Sequence, residues 1–180
     1  MNTIDCIKTR RSIRKFLSDP IPRETVEKLI GLAAWAPSWK NSQTTRYIAL
    51  TGEEKASFAE NAVGGRNQSF IDGAPLLLAL CTIKGVSGVR NDRLAAGGLP
   101  ESHWQSFDCG IACQTLCLAA HELGLGTVIM GIYDSGKAHE FLSLPESMQV
   151  SALVAVGKPD EAPDPRPRKD TNELLTWFHE

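Results

Sequence analysis

One segment dominates the pattern of apolar and polar positions along the chain: residues 107–131, FDCGIACQTLCLAAHELGLGTVIMG. Cys109, Ile111, Ala112, Cys113, Leu116, Cys117, Leu118, Ala119 and Ala120 leave little room for a polar face. A helix that is apolar all round is buried, in a core or between subunits. Gly124 and Gly126 end it, as glycine does just past a helix. Thr127, Val128 and Ile129 then read as a short strand closing at Gly131, where the missing Cβ lets another group approach the backbone.

The other elements follow from the same patterning. Residues 2–10 form a short helix with Ile4 and Ile7 on one side. Asp19-Pro20-Ile21-Pro22 is a turn, and Pro22 opens the next helix at its first position. Val26, Leu29, Ile30 and Ala33 keep helical spacing through residue 35, and Pro37 stops that helix. Residues 45–51 read as a strand, 53–63 as a helix ending at Gly64-Gly65, and 66–68 as a polar turn. The continuous apolar run 76–82 is a strand covered on both faces. Residues 84–103 lack periodicity and read as a loop or lid that places His103 and Trp104 just before the central helix. A short helix at 135–142 and a buried strand at 150–156 follow. The tail is proline-rich, then mildly helical, and Trp177 and Phe178 need a surface to cover them. The expected class is α+β: a mixed central sheet of four to five strands flanked by helices, with a long buried central helix.

Composition adds bounds rather than elements. At 180 residues, with 42% hydrophobic and 22% charged positions, the chain suits a single soluble domain spanning 1–180. A net charge of −2 argues against a general polyanion binder, so no nucleic-acid partner is expected. The N-terminal residues hold no apolar run long enough for a signal peptide, and no segment offers a membrane span. Cys6, Cys81, Cys109, Cys113 and Cys117 are odd in number and set among apolar residues, which fits reduced thiols in the cytoplasm.

Two segments carry candidate chemistry. In Arg10-Arg11-Ser12-Ile13-Arg14-Lys15-Phe16 the cations surround a hydroxyl, and Ile13 and Phe16 can fix the loop; guanidinium forks and a hydroxyl suit phosphate oxygens. Ala36-Pro37-Ser38-Trp39-Lys40-Asn41-Ser42-Gln43 is either a plain connection or a ligand loop using Ser38, Asn41 and Gln43. Other motifs fail. Gly124-Leu125-Gly126 follows a helix and precedes a strand, the reverse of a dinucleotide fingerprint. His103, His121, His139 and His179 are scattered without metal-ligand spacing, and the cysteines at 109, 113 and 117 read as packing. With no nucleophile or paired-carboxylate signal, an enzymatic activity here calls for a bound cofactor.

Taken in order, these segments resemble the nitroreductase superfamily of FMN-dependent oxidoreductases. The resemblance rests on Arg10 through Phe16, Ala36 through Gln43, Gly124-Leu125-Gly126-Thr127 with Gly131-Ile132-Tyr133-Asp134, and Val156-Gly157-Lys158-Pro159 with Arg166-Pro167-Arg168-Lys169. It implies an intertwined homodimer with two FMN sites in the interface, the central helix near the dimer axis, and an arm of about 159–180 on the partner subunit. By position, Arg10, Arg11 and Ser12 would hold the FMN phosphate from one end of the chain, and Arg166 and Arg168 from the other. Arg14 would lie toward the ribityl chain and pyrimidine edge, and Asn67 and Gln68 would face the pyrimidine ring. Pro37, Ser38, Trp39 and Asn41 would come from the partner. The Met130–Gly131 backbone would sit against the flavin, with an N–H directed at N5. Many members place a lysine shortly after the position of Asn67; Gln68, Ser69 and Phe70 stand there, so flavin tuning rests more on Arg14. The implied activity is ping-pong transfer from NAD(P)H through FMN to an electron-poor acceptor: a nitroaromatic, a quinone or an activated alkene. The alternatives are a non-catalytic flavin sensor or storage module, and a family member that dehalogenates or breaks down the flavin.

Overall fold

The computed structural model describes residues 1–90, 93–94 and 101–178. Four strands build the central sheet: β1 (Thr45–Leu50), β2 (Leu76–Ile83), β5 (Gly126–Met130) and β6 (Met148–Gly157), in the order β1-β2-β6-β5. A small hairpin, β3 (Val89–Arg90) with β4 (Arg93–Leu94), stands apart. The α+β class holds. The four strands pair antiparallel throughout, so the expected mixed character reduces, among the described residues, to a single parallel bridge, Ser12 to Thr127.

Both faces of the sheet are covered, which is why β2 reads as an unbroken apolar run. Alternate side chains go to opposite faces. Leu77, Ala79 and Cys81 join Phe58, Ala59 and Ala62 of α3 (Gly52–Ala62), Ile71 of α4 (Gly65–Gly73) and Ala138 of α6 (Ser135–Phe141). Leu76, Leu78 and Leu80 join Leu29 and Ala33 of α2 (Arg23–Ala33) and the row Cys109, Cys113, Leu116, Cys117 and Ala120 of α5 (Glu101–Glu122). α1 (Thr3–Thr9) lies along α5. The cysteines are free and buried, as the packing reading expects. Burial pushes the Cys81 thiol up to about 11 and raises Cys109 as well.

Several boundaries differ from the sequence expectation, each for a local reason. α5 begins at Glu101, so His103 and Trp104 lie inside the helix rather than in a preceding loop. Of the expected loop 84–103, residues 91–92 and 95–100 lie outside the described residues. Within one chain α5 is buried along one side only; Phe107, Gly110 and Gln114 face outward. Pro22 is the cap before α2, not its first residue. That helix stops at Ala33, and the Trp35 and Ala36 N–H groups reach back three residues, because Pro37 disfavours helical geometry at its neighbour. Residues 66–68 belong to α4 rather than to a turn. Gly64 (φ 69) redirects the chain, and the buried Lys55 satisfies the far end of the new helix. Its ammonium donates to the carbonyls of Ile71 (2.7 Å), Asp72 (3.2 Å) and Ala74. Burial lowers the Lys55 pKa from its ordinary value.

Candidate functional site

Residues 10–17 leave α1 as an extended arm laid along β5. The Ile13 N–H donates to the Thr127 carbonyl at 2.9 Å, beside the Ser12–Thr127 bridge. Two glycines make room for it. A Cβ on Gly126 would lie 2.7 Å from Ile13, and one on Gly157 would lie 2.8 Å from Phe16. Beyond Phe16 the arm pairs with the segment leaving β6: Phe16 bridges Pro159, and the Glu161 carboxylate accepts the N–H groups of Arg14 and Lys15.

This packing opens a cleft of about 300 Å³ lined by Thr9, Arg10, Arg11, His121, Thr127 and Glu161. Arg10 and Ser12 are both half-buried beside it. Arg11 lines it too, but its Nη1 donates to the Lys8 carbonyl at 2.7 Å, tying it to the end of α1. Further along, the Arg14 guanidinium lies 5.8 Å from the Phe70 ring centre and Arg66 lies 5.6 Å from it. The Asn67 amide donates to the Ile132 carbonyl at 3.1 Å, and Gln68 follows on the same helix. The ion pairs among the described residues use none of Arg10, Arg14 or Arg66. At the end of β5, the Met130 side chain is buried in the core, so only its backbone is available. A Cβ on Gly131 would meet nothing within 4 Å, and the neighbouring Ile132 is 81% exposed. The result is an open apolar shelf at the end of a line of cations.

Pro37, Ser38, Trp39 and Asn41 belong to a second place. Pro37 and Ser38 line a cleft of about 360 Å³ together with Gln43, Tyr47 and Asp108, while Trp39 and Asn41 lie outside its lining. Lys40, Asn41 and Gln43 hold positive φ, and the Ser38 hydroxyl accepts the Gln43 N–H at 2.9 Å. Ser38 still has its own O–H to donate. The Asn41 side-chain oxygen accepts from Gln43, and Lys40 sits over the Trp39 ring at 4.8 Å. This loop leads into β1, whereas the arm lies on β5, at the other edge of the sheet. Three strand spacings, roughly 14 Å, separate the two edges. Within one chain the two halves of the expected site are therefore apart.

The tail is exposed from 164 to 178. Arg168 donates to the carbonyls of Arg166 and Pro167, and neither arginine reaches the arm cleft. The residues alone did not single out Asp108, which lines the second cleft. A lone carboxylate in an apolar helix was the available signal, since buried charge demands partners.

A model of the Nitroreductase family matches residues 7–65 and 61–158 of the chain. An NADPH-flavin oxidoreductase of Vibrio harveyi is 31% identical over 169 residues, covering 93% of this chain and 70% of its own. An FMN reductase (NAD(P)H) of Bacillus subtilis is 28% identical over 188 residues, covering 98% and 75%. A nitroreductase family protein from Streptococcus pneumoniae TIGR4 shares the fold at a TM-score of 0.87 and 22% identity, over 98% of this chain and 100% of that one.

Proposed function

The chain belongs to the nitroreductase family, and from that premise we propose that it is an NAD(P)H-dependent FMN oxidoreductase acting on electron-poor small molecules. One observation carries the reading: arm cations that join no ion pair among the described residues stand between the Thr127 end of β5 and Phe70 of α4, the helix whose Asn67 is bonded to Ile132 beside the open backbone at Gly131. The residues present fit FMN. Its phosphate needs converging donors, its ring needs a flat apolar support, and its pyrimidine edge needs amides and a cation.

Bound FMN would supply the redox chemistry, taking electrons from the nicotinamide and giving them to a nitroaromatic, quinone or activated alkene in a ping-pong cycle. The protein's part is to hold and bias it. Arg10 and Ser12 grip the phosphate, with Arg11 at the rim; Arg166 and Arg168, which stand outside the cleft within one chain, join them once the tail packs in the dimer. Asn67 and Gln68 face the pyrimidine edge. Arg14 provides a fixed positive charge where electron addition places negative charge. The Met130–Gly131 backbone offers an N–H to the ring, and Gly131 keeps that approach open.

Ser38, Trp39 and Asn41, with Pro37, complete the site from a second copy, because their own chain holds them at the opposite edge of the sheet. A homodimer also gives the outward side of α5 and the exposed Trp177 and Phe178 something to cover them. Among the described residues no helix is long and apolar enough to cross a membrane, and the free thiols suit the cytoplasm.

The test is NAD(P)H oxidation by the purified, FMN-loaded protein with a quinone or nitroaromatic present. Turnover supports the enzyme, whereas bound flavin without turnover on any acceptor supports a sensor or store. Arg10→Ala combined with Arg168→Ala is expected to lose FMN while staying folded. Full flavin occupancy in that double variant would overturn the phosphate assignment.

A further inference from the structure

Asp108 of α5 is only 3% exposed, yet no cation pairs with it among the described residues. Its hydrogen-bond partners among the described residues are neutral donors from two separate segments. The Trp39 N–H reaches both carboxylate oxygens, at 3.0 and 3.1 Å. The Ser42 hydroxyl donates to Oδ2 at 3.3 Å, and the Ser87 hydroxyl to the same oxygen at 2.6 Å. One buried atom thus gathers the 38–42 loop and the segment following β2.

The loop needs such an anchor. Lys40, Asn41 and Gln43 sit at φ 48, 57 and 47, in the left-handed region where side chains are strained. Strained backbone persists only where its surroundings hold it. The Ser87 side is itself pinned, because Gly88 (φ 81) turns so tightly over Trp104 that a Cβ there would lie 2.8 Å from that side chain. An ionised carboxylate is an acceptor only, which matches a set made entirely of donors. An asparagine would present an NH2 to one of them and leave a buried donor unmet.

We propose that Asp108 is a positioning residue for the flavin site: it sets the shape in which the 38–42 loop is presented to the partner subunit's FMN. This rests on the proposed FMN site, in which the arm acts within its own chain and the loop acts across the dimer. The geometry of Ser38, Trp39 and Asn41 is then fixed by a residue that touches no flavin itself.

Mixed dimers test it. Asp108→Asn is expected to weaken FMN binding by about ten- to a hundred-fold, the range for an unmet buried hydrogen bond. Arg10→Ala weakens it through the arm. A dimer joining one Asp108→Asn protomer to one Arg10→Ala protomer contains one site with an intact arm and an intact loop. Fluorescence titration of that dimer should recover one tight FMN site of two. A purely structural role for Asp108 gives no such recovery. Unchanged FMN affinity in Asp108→Asn, or a mixed dimer without a tight site, overturns the proposal. If Asp108→Asn does not fold, Ser42→Ala removes one donor and leaves the carboxylate in place. About three- to ten-fold weaker FMN binding is expected there, and unchanged affinity overturns the proposal. Wild-type protein that never binds FMN refutes the flavin site itself, a separate outcome.

Discussion

Arg14 is the arm cation whose guanidinium reaches toward α4, where it lies between the Ser12 carbonyl and Phe70 rather than against a carboxylate among the described residues. On the proposed site, no carboxylate neutralises that charge, so it acts on the bound ring. Arg14→Gln is expected to lower the flavin midpoint potential by about 30 mV or more, one factor of ten for two electrons. Spectroelectrochemistry of the loaded variant reads it directly. His121 offers a pH-dependent check on the same region. Its Nε2 lies 2.8 Å from the Thr9 hydroxyl, and burial, with Arg10 and Arg11 nearby, holds its pKa below 6.5. The unfolded chain therefore takes up that proton first. The stability this site confers at neutral pH is lost as pH falls from 6.5 through the folded value. Urea unfolding of His121→Asn between about pH 7 and about pH 5 should show a shallower decline than wild type. The motif residues were legible in the sequence because arginines around a serine announce their chemistry wherever they stand. Asp108 and Lys55 were not, because one carboxylate or one lysine acquires meaning only from the donors or carbonyls that tertiary folding brings to it.

The arm, an element with no regular structure of its own, is held in place by glycines in two strands. Gly126→Ala pushes a methyl to within 2.7 Å of Ile13. The expected cost is about 1–3 kcal/mol, the usual range for overpacking, together with weaker FMN binding. Ile13→Ala in the same chain should restore much of the affinity, which FMN titration of the single and double variants will show. The sequence placed glycine at these positions and read Gly126 as a helix stop. What it could not show is that the arm returns to this strand from more than a hundred residues away. The same limit explains α4, which local composition rendered as a polar turn. Its helix depends on Gly64 resetting the backbone and on a lysine from α3 meeting its last carbonyls. Strand patterning fared better, because burial on both faces of β2 leaves its mark in consecutive residues.

For the whole molecule, uncovered apolar surface is the clearest pointer to assembly. Trp35 is 86% exposed and Phe178 is 88% exposed, and Ile4, Ile7 and Leu174 also face outward. Removing residues 170–180 should leave the sheet intact but shift the protein toward monomer at concentrations where the full chain is dimeric. Sedimentation velocity distinguishes the two, and an unchanged dimer would assign no role to the tail. The arm cleft has a further consequence, for synthesis. Its walls come from residues 9–13, 121–127 and 159–163, and its Thr9–His121 contact spans 112 positions. A chain still emerging from the ribosome has arginines but no cradle to hold them together. On the proposed site, cofactor capture is accordingly a late event, open only to polypeptides already made past residue 163, and free FMN stabilises those without rescuing chains interrupted earlier.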